Sequence, residues 1–98
     1  YVPLLKIMGE WYTERAQIDK GLAIDLRLVA LLPEDDESWY NLGCSYALSE
    51  DPQSAFIALK KAIALGYDSL EWIQRDEDLQ SLHRHAQWSD LLSLIKST

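Results

Sequence analysis

The chain has 98 residues, and 16 Asp and Glu against 9 Lys and Arg leave a net charge of −7. A domain of this size buries about two-thirds of the surface its unfolded chain exposes, which allows a core but little room for a deep active-site cavity. A hydrophobic content of 48% excludes a disordered chain, and no apolar run approaches the ~20 residues of a membrane span, so the composition predicts a soluble globular domain.

An internal period organises the rest. Shifted by 34 positions, the sequence pairs Leu5 with Trp39, Met8 with Leu42, Gly9 with Gly43, Tyr12 with Tyr46, Gly21 with Ala55 and Leu28 with Ala62. In chain order, the patterning predicts a helix over 3–16 and a second over 18–32, closed by Pro33. The run Glu34 to Glu37 then places carboxylates at the start of a third helix, 37–49, where the helix dipole favours them. On that helix Trp39, Leu42 and Tyr46 recur at i, i+3 and i+7, and Gly43 leaves a flat spot for a close neighbour. Ser49 to Pro52 reads as a turn, with Asp51 as N-cap and Pro52 in the first helical turn. The fourth helix, 52–65, carries Ala55 and Ala62 two turns apart, as a close antiparallel partner requires, and ends before Gly66 as C-cap.

From Leu70 onward the letters leave the frame, since Ile73, Asp76 and Glu77 fall where Trp, Leu and Gly would recur. Leu70, Trp72 and Ile73 predict a short helical turn, Leu79 and Leu82 another, and Trp88, Leu91, Leu92 and Ile95 a last amphipathic helix. Such a segment suits a cap that covers the last apolar face of an open-ended array.

The order Trp39, Leu42, Gly43, Tyr46, Ala55, Leu59, Ala62 resembles the tetratricopeptide repeat. The resemblance implies an all-α fold: two helix-turn-helix units, 2–35 and 36–69, forming a short right-handed α-solenoid, with helical capping over 70–98. It further implies a protein-interaction module that holds a peptide or partner protein in a concave groove lined by the first helix of each unit. By repeat position the groove residues are Pro3, Lys6, Glu10 and Thr13 in the first unit and Glu37, Tyr40, Asn41, Cys44, Ala47 and Leu48 in the second. Lys6 and Asn41 match a carboxylate clamp known in the family, whereas Glu10 replaces a clamp Asn and the third unit is missing. Trp39, Tyr12 and Tyr46 are expected in the core. Trp11 and Tyr40, displaced from the apolar stripe, are expected at the surface or groove.

The remaining chemistry is sparse. Asp76, Glu77 and Asp78 lack the Gly and distal Glu of a calcium loop. His83 and His85 at i, i+2 would point about 200° apart on a helix, so they do not share a metal there. Cys44 has no disulfide partner and no recognisable base and orienting group, so neither catalysis nor a cofactor is expected. One thiol suits a reducing compartment, and a cytoplasmic location is expected. The chain starts with Tyr and is read as an excerpt. Lys60–Lys61 is the one adjacent basic pair, which argues against nucleic acid, while the net charge favours basic over acidic partners. A monomer is expected, with self-association as the competing reading.

Overall fold

The structure, a computed structural model, describes residues 18–96. It consists of α1 (Ile18–Leu31), α2 (Asp36–Leu48), α3 (Pro52–Ala64), α4 (Leu70–Arg75), a 3-10 segment (Glu77–Leu82) and α5 (Ala86–Lys96). No strand occurs among the described residues, so the fold is all-α, and among them no helix is long and apolar enough to cross a membrane. The helix expected over 3–16, with Pro3, Lys6, Glu10, Trp11, Tyr12 and Thr13, lies outside the described residues.

Local rules set most of the boundaries. Asp51 Oδ1 accepts the Ser54 N–H at 3.2 Å, and Pro52 occupies the first helical position of α3, where a missing N–H costs nothing. At the other end of α3, the Tyr67 N–H closes on Ala62 O and the Gly66 N–H on Ile63 O, both at 3.0 Å. That closure needs a left-handed residue, and Gly66 supplies it with φ +114°. The end of α2 closes in the same way, Glu50 N–H onto Ala47 O and Asp51 N–H onto Tyr46 O, but here the left-handed residue is Glu50, at φ 64°.

Packing follows from the small residues. A Cβ built on Gly43 would lie 2.6 Å from Leu59 Cγ and Cδ2, so α2 and α3 cross with Leu59 seated on the bare backbone of Gly43. Ala55 and Ala62 are fully buried on the same side of α3. The larger core joins α2 and α3 to the C-terminal elements through Phe56, Leu59, Ile73, Leu79, Leu82, Trp88 and Leu91. A smaller cluster of Val29, Leu42 and Ala58 ties α1 to α2 and α3.

The C-terminal segment forms the three helical elements that its apolar spacing predicts. The starts of α3 and α5, at Pro52 and Ala86, are 34 residues apart, as are those of α2 and α4, at Asp36 and Leu70. The period survives where the letters fail. Asp76 interrupts what would otherwise be one helix: its backbone is extended (φ −66°, ψ 116°) and its Oδ1 caps the Asp78 N–H at 3.0 Å. The chain then continues as a 3-10 turn, whose three residues per turn set Leu79 and Leu82 on one side, both buried.

Candidate functional site

On α2 the residues expected to line a groove divide into covered and open ones. Tyr40, Cys44 and Ala47 are covered, with Tyr40 only 5% exposed, which corrects the expectation that Tyr40 reaches the surface. The cause is the chain after Asp76, which folds back along α2. Tyr40 Oη donates to Asp76 Oδ2 at 2.5 Å, the Cys44 thiol faces the same oxygen at 3.7 Å, and Ser81 Oγ reaches Ala47 O at 3.5 Å. The Tyr40 ring stacks on Tyr67, with centroids 4.4 Å apart and planes 5° from parallel. Glu37 remains exposed, and Asn41 and Leu48 half-buried.

The cluster is electrostatically one-sided. Burial first, and then the charge that Cys44 would carry, push the Tyr40 phenol well above the ordinary range. Burial followed by the negative field of Asp76 and Asp78 likewise raises the Cys44 thiol. Tyr67, half-buried, is pushed up to about 12, again chiefly by burial. Cys44, Asp76 and Asp78 bring three ligand atoms within 4.8 Å of one another. Both oxygens of Asp76 are nonetheless engaged, one with the Asp78 N–H and the other with Tyr40, and the neighbouring thiol is held protonated. The arrangement acts as a latch that fastens the 3-10 segment to α2. A nucleophile would need a lowered thiol pKa, and this one is raised.

Of the aromatics expected in the core, Trp39 and Tyr46 pack against both apolar clusters and remain half-buried. They form the floor of a dimple between α1 and α3, and the indole is fixed by its Nε1–H donating to Pro33 O at 2.8 Å. The dimple encloses about 190 Å³, and Leu26 and Ile57 stand at its rim, 42% and 67% exposed. Sequence reasoning missed it because periodicity marks which residues are apolar and not where two helices part.

No family model, curated protein or solved structure matches the chain.

Further buried polar groups have structural explanations. Ser45 Oγ donates to the buried carboxylate of Asp25, tying α2 to α1, and Ser38 Oγ donates to Asp35 Oδ2 at 2.5 Å at the start of α2. His83 lies against Trp88 with centroids 4.4 Å apart, and His85 meets Phe56 edge-on at 6.0 Å, so each histidine shields an aromatic core residue. The calcium, zinc and nucleophile candidates thus separate into helix caps, ring contacts and the latch.

Proposed function

We propose that the chain is the closing section of a tetratricopeptide-like array, a short right-handed solenoid with its own helical cap, and that it works as a non-catalytic protein-interaction module. The observation that carries the reading is the 34-residue spacing between the starts of α2 and α4 and between those of α3 and α5, with Gly43 bare against Leu59 at the α2–α3 crossing. A helix pair that close, repeated at that period, is the physical content of such a repeat. In this reading the 3-10 segment terminates the groove by covering Tyr40, Cys44 and Ala47, and the ligand lies on the side of Glu37, Asn41 and Leu48. Glu37 and Glu10, in a chain of net charge −7, favour a basic ligand. The single cysteine, Cys44, suits a reducing, cytoplasmic setting.

The test is fluorescence anisotropy with a labelled Lys-rich peptide and an Asp-rich control at two salt concentrations. The Lys-rich peptide is expected to bind saturably, to weaken with salt, and to lose about tenfold in affinity on Glu37→Lys. Equal binding of both peptides, or indifference to Glu37→Lys, overturns the groove. Self-association is the second reading, favoured by the exposed Trp72 and Leu31, and a concentration-independent monomer in light scattering rejects it.

A further inference from the structure

We infer that the face formed by α1 and α3, on which the groove reading makes no demand, is a docking site for an acidic segment of a partner protein that inserts one large apolar side chain into the dimple. Three observations converge on that occupant.

The first is shape. At about 190 Å³ the dimple is smaller than the ~300–1,000 Å³ of a small-molecule pocket, and it fits a single side chain instead. The second is chemistry. Trp39, Tyr46, Leu42 and Val29 line it, with Leu26 and Ile57 at the rim, and the Ser54 hydroxyl adds a polar group at its edge. Ile57, at 67% exposure, is the most exposed large apolar residue among those described. Water gains nothing from such a surface, whereas an inserted side chain would bury both rim residues.

The third is charge, and it selects the partner. Exposed Lys20, Arg27, Lys60 and Lys61 lie on α1 and α3, whose exposed residues include one carboxylate, Asp19. Asp25, also on α1, is buried against Ser45, and Asp51, at the start of α3, caps Ser54. Lys60 and Lys61 come three and four residues after Ile57, on the same side of α3, whereas Lys20 and Arg27 lie further round α1 from Leu26 and Val29. In a chain of net charge −7, Lys60 and Lys61 thus set two cations beside the apolar dimple, on a helix, α3, that itself carries no Asp or Glu. Two lysines disfavour a basic ligand at this face, and nucleic acid would need a longer track of cations than they supply. An acidic segment with an apolar anchor satisfies both features.

The probe is a short fluorescein-labelled peptide rich in Asp and Glu with one central Leu, titrated into the full chain by anisotropy at low and moderate salt. Saturable binding is expected, weakened about tenfold by Ile57→Glu, by the pair Lys60→Glu and Lys61→Glu, and by replacing the peptide's Leu with Ala. Glu37→Lys, which weakens the groove reading's basic ligand, is expected to leave this affinity unchanged, so the two sites fail independently. Circular dichroism should be the same for every variant, since Ile57, Lys60 and Lys61 are exposed. Three results overturn the proposal: no saturable binding, binding indifferent to Ile57→Glu, or an oligonucleotide that competes as well as the unlabelled peptide. A dimer in light scattering that Ile57→Glu dissociates without peptide also overturns it, since a second copy would then be the occupant.

Discussion

Gly43→Ala sets two effects of similar size against each other. In a helix interior Ala is favoured over Gly by about 1 kcal/mol, so at an open position the substitution would stabilise. Here the new methyl would fall 2.6 Å from Leu59 Cγ and Cδ2 and 3.4 Å from Ala55 O. Cγ is a branch point in a fully buried side chain, so relief requires moving α3 rather than one rotamer. Overpacking of that kind costs about 1–3 kcal/mol, which leaves a net loss of about 1 kcal/mol, or about 4–8 °C in Tm for a chain of this length. The decisive comparison is a double-mutant cycle with Leu59→Ala, which alone should cost about 2–5 kcal/mol. With Leu59 truncated the clash disappears, and Gly43→Ala should then stabilise by about 1 kcal/mol. Denaturant unfolding of the four proteins by far-UV circular dichroism gives the coupling, expected at about 1–3 kcal/mol. Additive effects, or a stabilising Gly43→Ala in the native background, would refute the contact.

Tyr40→Phe removes the donor to Asp76 Oδ2 and should cost about 1–3 kcal/mol, with faster amide exchange at Leu79 and Leu82; unchanged exchange would show that the latch does not hold the 3-10 segment. Because the ordinary values are 9.0 for Cys44 and 10.0 for Tyr67, and folding raises both, the unfolded chain loses these protons first. Stability should be intact below about pH 9 and fall as pH rises from there through about 12, and urea midpoints that stay flat to pH ~11 would contradict the burial argument. Glu50→Gly relieves a left-handed conformation worth about 1–2 kcal/mol and adds back about 0.5–1 kcal/mol of unfolded-state freedom, so a small rise in Tm is expected and a fall would deny the strain.

What was legible in the sequence was local. Gly43, Asp51–Pro52 and Gly66 behave as their spacing predicts, because a helix crossing, an N-cap and a left-handed closure are each decided within a few residues or by one small side chain. The three short C-terminal elements were legible from their apolar spacing as well, though not the break at Asp76 that turns the second into a 3-10 segment. Tyr40 and Cys44 were not legible, since their burial depends on a chain some 30 residues later returning to α2. The left-handed Glu50 escaped because its side chain gives no local signal for that backbone. The lysines beside Ile57 escaped for a third reason: Lys60 and Lys61 are unremarkable until the dimple between α1 and α3 is seen next to them.

The dimple also makes the protein optically legible. Of the described indoles, Trp88 is buried in the core, Trp72 stands in water and Trp39 forms part of the dimple floor with its N–H fixed on a carbonyl. Emission wavelength tracks the polarity around each ring, so the three report from dry, wet and intermediate surroundings within one spectrum. Single-tryptophan variants would separate the loosening of the C-terminal elements from the parting of α1 and α3. An apolar side chain entering the dimple would displace water from the face of Trp39 alone, so docking there would carry a spectral signature that a ligand on the Glu37 side would lack.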